Sequence, residues 1–238
     1  MRIALIGYGK MGKAIEQIAL GRGHEIVLKI DLDNGHELTK ENLSKADVAI
    51  EFTGPSSAAV NLFKCAEAGI PVVCGSTGWM EQYPLVKDAF EKNGTAFLYA
   101  SNFSIGVNIF FELNKKLASL MAPHREYRVL LEEIHHTQKK DAPSGTAITL
   151  AEQVLAEIPS LKSWVNKPVE KTGELPIISI RQDPAPGTHR VKYHSPIDDI
   201  EIIHTAHSRE GFAGGAILAA EFLQDKKGIF SMKEVLGF

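Results

Sequence analysis

Short apolar runs alternate with longer stretches of helical spacing in the first part of the chain. Residues 3–6, 26–30, 48–52, 72–74 and 96–100 are apolar with little polar alternation, which predicts strands buried on both faces. Between them, residues 10–20, 57–68 and 83–93 carry apolar positions at helical spacing, and the last two stretches run into Gly69 and Gly94, the residue type that commonly ends helices. Strands alternating with helices predict parallel βαβ units, hence an α/β fold with a Rossmann-like, doubly wound sheet.

The pattern changes near Asn108. A helix is predicted to Met121, followed by β-rich residues 128–134, 177–182, 189–194 and 200–206, joined through turns such as Asp183-Pro184-Ala185-Pro186-Gly187. This predicts a second, mixed α+β domain with an open β-sheet covered by helices on one face. Residues 216–223 read as a helix, and the tail to Phe238 is expected to return to the first domain. The predicted division is 1–106, completed by 216–238, for dinucleotide binding, and 107–215 for the second domain.

Composition narrows the partners. The 238 residues are 44% hydrophobic and 23% charged, enough for one large core or two small ones. With 26 basic and 29 acidic residues the net charge is -3, which gives no electrostatic reason to expect nucleic acid or an anionic membrane. Cys65 and Cys74 are the only cysteines, so neither a disulfide framework nor a four-thiolate metal site is supported, and a reducing, cytoplasmic setting is expected. The opening apolar run is too short for a signal-peptide core, and no stretch reaches the roughly 18 apolar residues of a membrane span.

Gly7-Tyr8-Gly9-Lys10-Met11-Gly12 places G-x-G-x-x-G between the first strand and the first helix. In that context Gly7 permits the tight turn, Gly9 admits a pyrophosphate to the backbone, and Gly12 lets helix and strand pack closely. The helix N-terminus supplies N–H groups and a positive dipole end to phosphate. Asp31 lies 19 residues past Gly12, where a carboxylate suits ribose hydroxyls and favours NAD. Lys10 and Lys13 stand near enough in sequence to attract a 2′-phosphate, so NADP use stays open. Phe52-Thr53-Gly54-Pro55 and Gly75-Ser76-Thr77-Gly78 follow the third and fourth strands, where open α/β sheets bind ligands. Each by itself is also an ordinary strand-to-helix turn. Asn102-Phe103-Ser104 follows the fifth strand, and its aromatic suits either a nicotinamide ring or the core.

The densest chemistry lies between Glu132 and Ala147, where Glu132-Glu133-Ile134-His135-His136 ends a strand and Pro143-Ser144-Gly145-Thr146-Ala147 opens a helix. Ala147, Ile148, Ala151, Val154, Leu155 and Ile158 form that helix's apolar stripe, so Ser144, Gly145 and Thr146 occupy its N-terminus, a site suited to a carboxylate. Lys139 adds a positive charge, and either histidine can exchange protons near neutrality. A zinc site is disfavoured here, because adjacent histidines on a strand point oppositely and no third ligand stands at useful spacing. A serine hydrolase is weaker still, since Ser144 lacks the G-x-S-x-G elbow.

This segment resembles the dihydrodipicolinate reductases, matching their H-H-x-x-K-x-D-A-P-S-G-T-A motif at every defined position from His135 to Ala147. The similarity extends to the glycine turn, residues 75–78 and 100–107, and His204-x-Ala206-x-x-Arg209-x-x-Phe212-x-x-Gly215-Ala216. It departs from the family pattern in a short stretch between Asp31 and Val48, in Leu32 after Asp31, and in Arg190 and Lys192. The resemblance implies a homotetramer, assembled through the second domain, that passes a hydride from NADH or NADPH to a cyclic imine dicarboxylate in lysine and diaminopimelate synthesis. It implies His135 and Lys139 as the acid/base pair, and His136, Lys139, Ser144, Gly145 and Thr146 as substrate ligands. Gly7, Gly9, Lys10, Met11, Gly12, Asp31, Phe52, Thr53, Gly75, Ser76, Thr77, Ser101, Asn102, Phe103 and Arg209 make the implied cofactor set. For Arg209, substrate binding or the sealing of a hinge are alternatives.

Two other classes compete: another nicotinamide-dependent oxidoreductase of similar fold, such as an aspartate dehydrogenase, and a non-enzymatic NAD-sensing regulator. The first has no use for the dicarboxylate-binding segment. The second calls for a basic stripe or an additional domain, and neither is evident.

Overall fold

A computed structural model of the chain describes residues 1–168, 171–208 and 210–238. In chain order it runs β1 (Arg2–Ile6), α1 (Lys10–Gly21), β2 (Glu25–Ile30), α2 (Lys40–Leu43), β3 (Val48–Glu51), α3 (Ala58–Ala68), β4 (Val72–Cys74), α4 (Tyr83–Asn93) and β5 (Ala96–Tyr99). There follow α5 (Ile105–Met121), β6 (Arg128–His135), α6 (Gly145–Glu157), β7 (Ser163–Val165), β8 (Glu174–Arg181), β9 (Gly187–His194) and β10 (Asp199–Ala206). The chain ends with α7 (Glu210–Leu223), β11 (Gly228–Phe230) and α8 (Met232–Leu236). Two units result: Met1–Ile105 with Glu210–Phe238, and Gly106–Arg209.

The first unit holds a six-stranded sheet ordered β11-β5-β4-β3-β1-β2, with every pairing parallel. Within it, β1 is an apolar run because each face of the sheet has its own core. Ala4 and Ile6 of β1 join Leu62, Trp79, Phe90 and Phe97 on one side. Ile3 and Leu5 join Ile15, Leu98, Ile217 and Leu223 on the other. A polar residue at any of these strand positions would be buried without water, which is why no alternation survives.

The second unit carries a sheet ordered β10-β9-β6-β8-β7. β8 runs parallel to β6 and β7, while β9 runs antiparallel to β6 and β10. One face packs Leu131, Ile177, Val191 and Tyr193 against Phe110 and Phe111 of α5 and Leu150 and Val154 of α6. The other face bears the ion pairs Arg190–Glu132 (3.4 Å) and Lys192–Glu201 (3.1 Å). That alternation along β6 and β9 made these strands readable.

Some elements escaped the pattern. β7 and β11 have three residues each without the unbroken apolar triplet that marks β4, and Pro176 interrupts the start of β8. α7 begins at Glu210 rather than 216, because Gly211, Gly214 and Gly215 mask its first turns. Gly215 has a packing reason: a Cβ there would come within 1.8 Å of the Phe103 carbonyl oxygen.

Candidate active site

In the first unit, the segments that follow β1 to β5 gather at the carboxyl ends of parallel strands. Gly7 donates its N–H to the Ile30 carbonyl at 2.8 Å and sits at φ +96°, with room for no side chain: a Cβ would meet the Phe52 oxygen at 2.1 Å. Gly12 is equally constrained by the Gly7 oxygen at 2.3 Å, whereas Gly9 has nothing within 4 Å of the position a Cβ would take. Gly9 also caps α1 without any side-chain hydrogen bond, so the first amides of that helix are not satisfied by a capping side chain. Two glycines are thus required by the fold and one faces open space, which fits a pyrophosphate cradle. Beside it, the Thr53 N–H donates to the buried Ser76 hydroxyl at 2.8 Å and to Glu51 at 3.1 Å, tying the β3 and β4 loops together.

In the second unit the chemistry collects on the helix-covered face of the sheet. Alternation along β6 turns Leu131, Glu133 and His135 to that face, and register sets Glu133 opposite His189 of β9 and His135 opposite Arg181 of β8. Glu133 is 0% exposed. Its Oε2 accepts the Ser144 N–H at 3.0 Å and lies 3.5 Å from His135 Nε2, while Oε1 accepts from Arg181 at 3.1 Å. His135 Nε2 is 3.3 Å from His189 Nε2, which is in turn 3.1 Å from the Ser144 hydroxyl. Ser144 Oγ accepts the Ala147 N–H at 3.2 Å, capping α6. Lys139 lies in the connecting loop with its ammonium 2.7 Å from Asp141.

Proton affinities follow from these contacts. Burial works to raise the Glu133 carboxyl, but hydrogen bonds from His135 and Ser144 overcome it and hold the group far below the usual carboxylate range. Burial, then the field of His135, pushes the His189 imidazole down to about 3, so it is neutral at physiological pH. Asp141 behaves like Glu133: burial opposes ionisation, and the Lys139 ammonium more than offsets it.

Models of the dihydrodipicolinate reductase N-terminus and C-terminus match residues 1–103 and 106–236. The chain belongs to the dihydrodipicolinate reductase family. It is 52% identical to the 4-hydroxy-tetrahydrodipicolinate reductase of Christiangramia forsetii over 99% of this chain and 98% of that one. It is 37% identical to the Methanosarcina barkeri protein of the same name, over 87% of this chain and 78% of the other. Among solved structures, the dipicolinate-bound dihydrodipicolinate reductase from Paenisporosarcina sp. TG-14 superposes with a TM-score of 0.76 at 25% identity, covering 97% of both chains. An amine dehydrogenase from Mycobacterium smegmatis, at 11% identity and a TM-score of 0.62, shares the fold alone. As a dihydrodipicolinate reductase the chain is an NAD(P)H-dependent enzyme, and its reaction is the family's: hydride transfer to 4-hydroxy-tetrahydrodipicolinate in lysine biosynthesis.

Against that dihydrodipicolinate reductase frame, the anticipated residues divide between the two units. Lys10 and Met11 open α1, the exposed Asp31 accepts the Leu32 N–H at 2.9 Å, and Thr53, Thr77 and Ser101 are exposed on their loops. Gly75 is pinned by Phe52, whose ring would be 2.1 Å from a Cβ. Asn102 accepts the Ser104 N–H at 2.9 Å. Phe103 takes the core alternative: it is 2% exposed and lies against Phe52 with ring centres 5.6 Å apart. Arg209 lies outside the described residues. His136 falls just past β6, half-buried, with its carbonyl accepting the Lys139 N–H at 3.1 Å. Gly145 looks onto open space, and Thr146 follows it half-buried in the first turn of α6.

One expectation is corrected. Sequence spacing offers no third ligand beside the histidines, yet the fold sets ligand-type atoms of Glu133, His135 and His189 within 4.8 Å of one another. What disfavours a cation there is charge: the Arg181 guanidinium already pairs with Glu133, and burial of a further positive charge beside it is costly. Glu133, Arg181 and His189 were missed as site residues, as was the fully buried Glu51, which accepts from Thr53 and from the Cys74 thiol at 3.2 Å. The i, i+2 spacing of Glu133 and His135 was a usable signal; the others depend on strand pairing.

Proposed function

We propose that His135 is the proton donor of the reduction and that Lys139, His136 and the start of α6 at Ser144, Gly145 and Thr146 hold the substrate's carboxylates. The observation that carries this reading is the juxtaposition, within one unit, of a buried imidazole, an ammonium and the N-terminus of a thirteen-residue helix, α6. Lys139 acts here with a dicarboxylate that replaces Asp141 as its partner. The dipicolinate in the Paenisporosarcina structure is a planar ring with two such acid groups, in keeping with this chemistry.

The cofactor, held by Gly7, Gly9, Lys10, Met11, Gly12, Asp31, Phe52, Thr53, Gly75, Ser76, Thr77, Ser101, Asn102 and Arg209, supplies the hydride, with the buried Phe103 backing Phe52. Asp31 favours NADH by accepting from ribose hydroxyls and repelling a 2′-phosphate, while Lys10 and Lys13 keep NADPH usable. Addition of a hydride leaves an electron pair on the unsaturated imine, and a proton from His135 neutralises it. The charged, apolar-studded face of the second sheet, with Ile203 50% exposed, supports assembly into a homotetramer. Two buried free thiols support a cytoplasmic site of action.

The test is His135→Ala, assayed with substrate and each reduced cofactor by nicotinamide absorbance. Turnover is expected to fall by roughly 10²- to 10⁴-fold with the cofactor KM little changed. Unchanged turnover at saturating substrate would remove His135 from the role.

A further inference from the structure

We infer that Glu133 is a positioning residue for the reaction: it holds the Nε2–H of His135, so that the proton given to substrate leaves from Nδ1. The inference rests on the donor role proposed for His135. His135 Nε2 faces inward, 3.5 Å from Glu133 Oε2 and 3.3 Å from His189 Nε2. Its other edge lies on the side of Gly187, where a Cβ would be 2.9 Å from His135 Cε1 and 3.2 Å from Nδ1. A neutral imidazole carries one N–H, and the nitrogen that keeps it is set by the partner of that nitrogen. An ionised carboxylate can only accept, so the Nε2 that faces Glu133 keeps its hydrogen.

The surrounding groups make this assignment self-consistent. Glu133 cannot readily protonate, because the Ser144 N–H and the Arg181 guanidinium hold it as an anion. His189 is neutral and buried, so it adds no competing charge, and its Nε2 can accept from the Ser144 hydroxyl, whose oxygen already caps α6. Arg181 from β8 and Lys139 from the loop before α6 oppose a second cation, His204 of β10 stands opposite His189, and Asp141 pairs with Lys139. Glu133 is therefore the acceptor that fixes which nitrogen of His135 keeps its hydrogen. In the step itself the His135 Nδ1–H bond breaks as the substrate–H bond forms, and the imidazole is left with its hydrogen on Nε2. Solvent then returns the proton to Nδ1.

Glu133→Gln removes the charge and keeps the shape. The expected result is a kcat at alkaline pH reduced about tenfold, with the basic limb of the kcat profile moved to lower pH, because the imidazolium loses its stabilising anion. Binding of reduced cofactor is expected to be unchanged. A lowered kcat with an unmoved basic limb means a merely structural role and overturns the inference. If Glu133→Gln does not fold, the wild-type protein decides: in ¹⁵N spectra, with His135 assigned by its loss in His135→Ala, neutral His135 should carry its hydrogen on Nε2. A neutral ring protonated on Nδ1 overturns the inference. Full activity in His135→Ala would sink the donor role itself, whereas an impaired His135→Ala with an unshifted Glu133→Gln profile sinks only the part given to Glu133.

Discussion

His189 has the clearest consequence for stability. Its imidazole binds a proton near 6.5 when the chain is unfolded but only near 3 in the fold, so between those values the unfolded state holds the extra proton. Stability is full above about pH 6.5 and is lost as pH falls towards 3. By pH 4.5 the loss reaches about 2–3 kcal/mol, on the order of 5–10 °C in Tm for a chain of this size. His204, also lowered by burial, adds to the slope with the same sign. Thermal melts of His189→Asn should therefore show a shallower fall between pH 6.5 and 4.5 than wild type. A parallel fall would mean that His189 ionises freely in the folded chain. Residues of this kind resist reading from sequence. His135, Lys139 and Ser144 share one short segment, whereas His189 and Arg181 reach Glu133 only through the β6–β9 and β6–β8 register, which no local pattern encodes.

At the scale of elements, the start of α1 separates what the fold needs from what a ligand needs. Gly7 and Gly12 have no space for a side chain, but a Cβ on Gly9 meets nothing. Gly9→Ala should leave Tm within about a degree of wild type and raise the KM for reduced cofactor by roughly tenfold, since a methyl group fills space meant for the ligand. Equal KM values would place the pyrophosphate elsewhere. β1 was legible because its apolar run is continuous and buried on both faces. The sequence period of α7 was obscured by Gly211, Gly214 and Gly215, the last of which is there for contact with Phe103. Sequence chemistry and sequence periodicity thus conflict where packing is tightest.

For the molecule as a whole, the return of the chain to the first unit is the feature least visible in sequence. β11 has three residues and pairs in parallel with β5, Ile229 opposite Phe97, and Met232 behind it is 2% exposed in the core. Deleting residues 228–238 should unmask the β5 edge, shift the emission of the buried Trp79 to the red and abolish cofactor binding. Native-like Trp79 emission with full cofactor affinity would show that this segment is dispensable. The same return orders events during synthesis. Residues 106–209 leave the ribosome without interruption, while Ile3, Leu5, Val73 and Leu98 wait for Ala213, Ile217 and Leu223 to cover them. Until Ala213, Ile217 and Leu223 have been made, one side of the nascent nucleotide sheet is a greasy surface open to chaperones and to neighbouring chains.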